Sequence, residues 1–309
     1  MTATSAPISL TRTLTLRERI DPARRVTMLA AGAVVVFAGL LLLFVGWNGI
    51  QLFVDAHQPL TTIFSTEWAL TSNPPHYGIL PFIAGTLGVM VVAAVISTPL
   101  SIGLALFMAE VAPRWARSIA QPAMEVFVGI PSVVYGWLGI TVLVPFLRTN
   151  LHDLGFTVGF SWFAGSLVLA IMILPTITSI SYDVLIAIPR ELRTGSLALG
   201  STRWQTIRHV LIPAAASGMA TAVVLGMMRA AGEALAVQMV IGNTPVMPSS
   251  LTRPVTTLTS QITLDMGNTV AGEPANDALW TMGLTLLLIS FAFVLLVRRL
   301  ARGRTMVSQ

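Results

Sequence analysis

Six apolar stretches, each about as long as a helix must be to cross a bilayer, limit what this chain can fold into. A hydrocarbon core about 30 Å thick takes roughly 20 residues of helix. The stretches run over residues 27–54, 80–109, 119–147, 161–188, 214–241 and 278–297. The second carries no charge, the fourth carries Asp183 near its end, and the fifth is interrupted by Arg229 and Glu233. Composition agrees, with 54% hydrophobic and only 10% charged residues, where a soluble globular domain has about 25% charged. The expected fold is an all-α integral membrane protein of six transmembrane helices.

The basic residues orient it. All 18 are arginine. With the N-terminus in the cytoplasm, the inner segments hold Arg12, Arg17, Arg19, Arg24 and Arg25, then Arg114 and Arg117, then Arg190, Arg193, Arg203 and Arg208, then Arg298, Arg299, Arg302 and Arg304. Arg148 and Arg253 fall outside, and Arg229 lies within a helix. This asymmetry and the even number of spans place both termini in the cytoplasm. The first apolar stretch is too long for a signal-peptide core and lacks a small-residue cleavage site, so it is read as a retained helix. The organisation is then a cytoplasmic segment 1–26, a six-helix domain 27–299 with a cytoplasmic segment 189–213 and an outer loop 242–277, and a cytoplasmic tail 300–309.

Several functions are excluded. Without cysteine there is no disulfide, thiolate nucleophile or Cys-ligated zinc. Without lysine there is no ordinary P-loop. His57, His76, His152 and His209 are scattered and form no zinc-binding pair on a helix. The net charge of +5 does not point to nucleic acid, because the arginines sit between apolar blocks and not along one stripe.

Pro81, Pro99, Pro122, Pro131, Pro145 and Pro175 lie within apolar stretches. A membrane bundle tolerates them where neighbouring helices or Ser/Thr groups satisfy the freed backbone. Gly129, Gly136 and Gly139 suit close helix packing. Glu125 and Asp183 sit toward helix ends, and Tyr135 and Ser132 could line a path. Two outer loops are long, 55–79 and 242–277. The second contains a stretch, 257–266, that could form a short helix near the outer interface, and Gly242 with Asn243 ends the fifth helix.

Residues 189–213, PRELRTGSLALGSTRWQTIRHVLIP, are too polar to span. A short helical pattern precedes Gly200 and an amphipathic run follows from Thr202. A glycine between two short helices suits a left-handed turn, and Ser201 or Thr202 can cap the second helix. Leu197 and Leu199 would then present an apolar tip. The segment is either a knuckle projecting into the cytosol or an amphipathic connector on lipid headgroups.

These residues resemble a motif of permeases from ATP-binding-cassette (ABC) importers: Glu-Ala-Ala, three residues, Gly, nine residues, then Ile-x-Leu-Pro. Here Thr194, Gly195 and Ser196 are followed by Gly200 at that spacing, then by Val210, Leu211, Ile212 and Pro213. Thr194 stands where the motif has Glu, and Glu191 lies three residues earlier. A narrower resemblance, to phosphate-specific transport permeases, is carried by YGILPFIAGTL at 77–87, GIPSVVYG at 129–136, LPTITSIS at 174–181, SLALGSTRW at 196–204, MRAAGEALAV at 228–237 and IGN at 241–243. The SVVYGW and IGN runs are similar to the PstC-type subunit more than to its PstA-type sister.

The resemblance implies a type I ABC importer permease fold in a bacterial cell membrane. It implies a coupling helix over Arg193, Ser196, Leu197, Ala198, Leu199, Gly200, Ser201 and Thr202, docked in a groove of a separate ATPase. It implies no cofactor in this chain, ATP and magnesium being bound by a PstB-like ATPase dimer. The remaining partners are a PstA-like permease, a PstS-like external phosphate-binding protein, membrane lipid and inorganic phosphate.

Arg229 and Glu233 are the charges deep in an apolar span. Four residues apart, they would share a helix face, and burying a charge there costs roughly 2.5–3.5 kcal/mol on insertion scales. Either they form a mutual ion pair that locks helices, or Arg229 offers its forked donors to an oxyanion while Glu233 holds the guanidinium in place. Rival functions are a permease of this fold for molybdate, sulfate or an organic solute, a secondary transporter, and a membrane-embedded enzyme. The last would need an Asp, Glu or His cluster near one interface.

Overall fold

The structure is a computed structural model that describes residues 22–55, 57–70 and 72–302. Residues 1–21 with Arg12, Arg17 and Arg19, and the tail from 303 with Arg304, lie outside the described residues. The chain divides into two compact units, Met1–Trp47 and Asn48–Gln309. In the first unit, helix α1 (Pro22–Val54, running on into the second) is largely apolar after Arg24 and Arg25 in its first turn. Among the described residues six helices are long and apolar enough to cross a membrane: Arg24–Val54, Leu80–Val111, Ser132–Asn150, Trp162–Ile186, Arg203–Ala231 and Pro274–Arg299.

In the second unit, a two-stranded hairpin, β1 (Trp68–Ala69) with β2 (His76–Tyr77), pairs Trp68 with Tyr77 and Ala69 with His76. Trp68 meets Phe82 edge-to-face at 5.1 Å between ring centroids. Helix α2 (Leu80–Leu106) carries Pro81 in its first turn, where the missing N–H costs nothing, and runs on through a π turn, Phe107–Val111.

The third span departs from the expected 119–147. Residues Arg114–Gly129 form a separate helix, α3, with polar Arg114, Ser118, Gln121 and Glu125 at helical spacing. It ends because Ile130 precedes Pro131 and is driven to extended backbone, ψ 128°. The apolar helix that follows is α4 (Ser132–Leu138), a π turn (Gly139–Leu143) and α5 (Val144–Asn150). Tyr135 donates its hydroxyl to Phe127 O across the break, at 2.8 Å.

Helix α6 (Trp162–Ile186) is capped by Ser161, whose hydroxyl accepts from Ala164 N. Then come α7 (Arg190–Ala198), α8 (Arg203–Thr206), a π turn (Ile207–Leu211), α9 (Ile212–Ala231) and α10 (Leu235–Ile241). Each of the three π turns among the described residues ends two residues before a proline: Pro113, Pro145 and Pro213. A proline ring crowds the carbonyl four residues back and cannot bond to it. At Pro145 and Pro213 one turn of wider pitch relieves that conflict while the helix continues; at Pro113 the helix has already ended, with Ala112 extended.

The core lies where α2, α6 and α9 meet. Val89, Met90 and Ala93 of α2 pack with Leu169, Ile173 and Ile177 of α6, with Ala222 of α9 and with Val237 and Ile241 of α10. Ser101 donates to Leu174 O at 3.0 Å, beside Pro175, which joins α2 to α6 by a polar bond as well. A methyl at Gly139 would lie 2.5 Å from Val240 Cγ1, and one at Gly136 would lie 3.0 Å from Ala236 Cα, so both admit α10 closely. Gly129 does not share this role, since nothing stands within 4 Å of its missing side chain.

The loop 242–277 forms a helix where expected, α11 (Leu258–Asp265), and its first turn packs into the protein. Leu258 and Ser260 are completely buried, and Thr86 of α2 accepts from Leu258 N at 2.9 Å. Helix α12 (Pro274–Arg302) packs Leu279 and Met282 against Leu258, and Thr281 donates to Gly49 O.

Candidate functional site

Two places gather the residues that the sequence singles out. The first is the knuckle formed by α7, the turn after it and α8. Leu199 caps α7 and Gly200 takes φ +84°. Gly200 N donates to Leu197 O at 3.0 Å and Ser201 N to Ser196 O at 3.4 Å, the two bonds of a Schellman closure. Open space surrounds the missing Gly200 side chain, so the backbone angle alone demands glycine here.

Thr202 then starts α8 with a capping box: its hydroxyl accepts from Gln205 N at 3.3 Å, and its N–H donates to Gln205 Oε1 at 2.8 Å. Ser196, Ser201 and buried Thr206 bring their hydroxyls within 2.7–3.1 Å of one another. They close the knuckle from inside and do not form its tip. The tip is apolar: Leu199 is 91% exposed, with Leu197 and Trp204 also exposed beside it. Ala198 is exposed as well.

Arg193 faces the other way. Its guanidinium binds Glu110 and carbonyls at the end of α6, so the structure gives it an internal role and not a place on the tip. Glu110 was not singled out in the sequence. The available signal was a lone carboxylate directly after the uncharged second stretch.

The second place is the fifth span. It is not one helix over 214–241: α9 ends at Ala231, and Gly232, Glu233 and Ala234 lead into α10. Arg229 and Glu233 therefore do not share a helix face, and no ion pair joins them among the described residues. Both expectations that linked the two side chains are corrected. Glu233 accepts from Ala236 N at 3.1 Å and so caps α10. Its backbone carbonyl accepts from Thr259 of α11 at 2.8 Å. Arg229 donates to Thr176 Oγ1 of α6 at 3.1 Å, and its side chain is exposed.

The break has a physical reason. The loop 242–277 inserts Thr259 against Glu233 O, which satisfies one carbonyl that the interrupted helix would leave bare. Gly242 then ends α10 at φ +93°, as expected, and pairs with Val255. The arrangement presents one guanidinium without an ion-pair partner among the described residues, with a hydroxyl beside it, in the last turn of a membrane-length helix. It can hold an anion by charge and forked hydrogen bonds. Among the described residues no group of three His, Asp or Glu could hold a metal ion.

Comparison with known proteins agrees with this architecture. Residues 101–305, about two thirds of the chain, match the family described as "Binding-protein-dependent transport system inner membrane component". The chain is 50% identical over 289 residues, 93% of each chain, to the "Probable ABC transporter permease protein YqgH" of Bacillus subtilis (strain 168). It is 36% identical over 280 residues, covering 85% of this chain and 84% of the other, to the "Phosphate transport system permease protein PstC" of Xylella fastidiosa (strain 9a5c).

Among solved structures, a chain of the bacterial alginate ABC transporter in complex with alginate pentasaccharide-bound periplasmic protein aligns with TM-score 0.61 and 16% identity. That alignment covers 93% of this chain and 97% of the other. A chain of the inward-facing MetNI methionine ABC transporter aligns with TM-score 0.51 and 20% identity, covering 70% and 93%. At those identities the likeness is one of fold.

Proposed function

We propose, for a chain that belongs to the family of binding-protein-dependent transport system inner membrane components, that it carries inorganic phosphate as one of two permease subunits of an ATP-driven importer. The chain is a multi-pass membrane permease component and not a catalyst. In the proposed assembly it forms half of the pathway beside a PstA-like permease. It takes its drive from a PstB-like ATPase dimer, which binds ATP and magnesium, and receives phosphate from a PstS-like binding protein. The arginine-rich segments, the knuckle included, then face the cytoplasm with both termini.

The observation that carries the reading is Arg229. An arginine inside an apolar span is expensive and is kept where it pairs or lines a polar cavity. This one has a neutral hydroxyl for a partner and an exposed side chain. An oxyanion supplies the missing charge and matches the guanidinium fork. Because phosphate must also leave, the site is transient, assembled and dispersed as the ATPase moves the bundle. The Gly200 knuckle, with Leu199 at its tip, is the part that suits a groove on the ATPase. The PstC relatives, about a third identical over most of their length, support phosphate as the cargo.

The test is purification in mild detergent with identification of the co-purifying ATPase, followed by ATP hydrolysis in the presence of the binding protein and phosphate, sulfate or molybdate. Selective stimulation by phosphate is the expected result. Stimulation by another oxyanion would keep the permease and overturn the cargo.

A further inference from the structure

We propose that Arg193 and Glu110 form the strut that makes the knuckle and the 107–112 end of the second span move as one body, and so carries the ATPase stroke into the bundle. The proposal rests on the reading of the knuckle as the ATPase contact. It does not depend on which anion is carried.

Covalent connections alone would let α7 swing, because Ala187–Pro189 joins it to α6 and a glycine turn joins it to α8. Arg193 removes that freedom. Its Nε donates to Glu110 Oε1 at 3.0 Å, Nη1 to Ile188 O at 2.7 Å and Nη2 to Leu185 O at 2.7 Å. The two carbonyls lie at the end of α6, where intrahelical donors run out. One side chain thus ties together α7, the end of α6 and the π turn that closes the second span.

That π turn is gripped from its other side too. Arg117 of α3 donates from Nη2 to Ala109 O at 3.1 Å and from Nε to Ala112 O at 3.0 Å. Glu110 therefore projects from a turn already fixed in place. The pair is largely withdrawn from water, with side chains 20% and 16% exposed for Arg193 and Glu110. Among the described residues it is the one arginine–carboxylate ion pair.

Loss of one member leaves the other charge uncompensated in a poorly hydrated place. Lysine cannot replace arginine, because three divergent partners need the planar fork. These are positioning residues: they touch neither anion nor nucleotide, and they set how faithfully motion at the knuckle reaches α2 and α6, whose packing makes the core.

The chain contains no cysteine, so two can be introduced for spin labels without clearing a background. Exposed Leu100 on α2 and exposed Glu191 in the first turn of α7 are suitable sites. In the complete complex, the label separation is measured without nucleotide and after trapping with ATP and vanadate. The expected result is one distance distribution in both states for the labelled parent. Glu110→Gln, and independently Arg193→Lys, broadens it or makes it depend on nucleotide.

Phosphate imported per ATP hydrolysed should fall roughly tenfold in either variant, the scale of one lost charge-assisted bond. Combining the two should cost no more than either alone. The idea is overturned if the parent distance changes between states, if both variants leave it unchanged, or if both fail to assemble with the ATPase. A parent complex that hydrolyses ATP without importing phosphate defeats the phosphate reading alone, because the label distances do not require a transported anion.

Discussion

Arg229 lies in the last turn of α9 and Glu233 in the break that follows: the guanidinium turns to Thr176 Oγ1 at 3.1 Å, and the carboxylate turns to Ala236 N at 3.1 Å. The two charges serve different ends. One is left available in the span, and the other is absorbed into the backbone of the next helix.

Arg229→Ala should abolish transport without dissolving the complex. The side chain is exposed and makes one bond to a neutral hydroxyl, so its loss costs the fold about 1 kcal/mol. Uptake of labelled phosphate into vesicles should fall roughly a hundredfold, as loss of a bidentate anion contact implies. Arg229→Lys should recover part of it. Normal uptake by Arg229→Ala in an intact complex would remove the residue from the pathway.

Glu233 is expected to behave as a cap. Glutamine still accepts from Ala236 N and should leave the thermal midpoint in detergent near that of the parent. Alanine should lower stability by about 1 kcal/mol, the usual worth of a lost cap. Equal losses in the two variants would show that the charge, and not the hydrogen bond, is what the fold needs.

The Gly200 turn predicts a graded series. Alanine meets no neighbour there but must adopt φ +84°, at roughly 1–2 kcal/mol. Asparagine tolerates the left-handed region and should be milder. Co-purification with the ATPase should therefore rank glycine, asparagine, alanine. An order with alanine above asparagine would mean that the turn adopts another conformation in the complex.

Leu199→Asp should leave the isolated permease as stable as the parent, since the side chain is 91% exposed and packs on nothing. Binding of the ATPase should weaken by about tenfold or more, because a leucine transferred into an apolar groove is worth roughly 1.5–3 kcal/mol. Retained affinity would place the ATPase contact elsewhere.

Tyr77 gives an alkaline limit. Burial, then Asp277, then Glu273 push its hydroxyl above the ordinary 10.0. A group whose folded pKa is raised contributes stability that is whole below the unfolded value and fades as pH climbs through the folded one. The midpoint of the parent should drop more steeply above pH 10 than that of Tyr77→Phe, with both flat at neutral pH.

Hydropathy carried the six spans because each stretch is long enough to decide by itself. The knuckle was legible for a different reason: Gly200, Thr202 and Gln205 act within a few residues of one another, so turn and cap chemistry is written locally. The end of α3 was not read: Arg114, Ser118, Gln121 and Glu125 lie at helical spacing along it, but the apolar content of 119–147 reads as one span. The break after Ala231 was not readable. It depends on Thr259, 26 residues away in the loop 242–277, reaching Glu233 O. The Arg193–Glu110 pair spans 83 residues, and nothing in either neighbourhood names the other.

A π turn holds one more residue than the α turn it replaces, so it leaves the helix after it about 100° out of phase with the helix before it. In the fifth span that slip falls at Ile207–Leu211. A residue on the knuckle side and one on the Arg229 side therefore belong to two different helical wheels, although one apolar helix joins them. A scan of single cysteines should find accessibility over Arg203–Thr206 that matches the period of α9, carried back, only after a shift of one position.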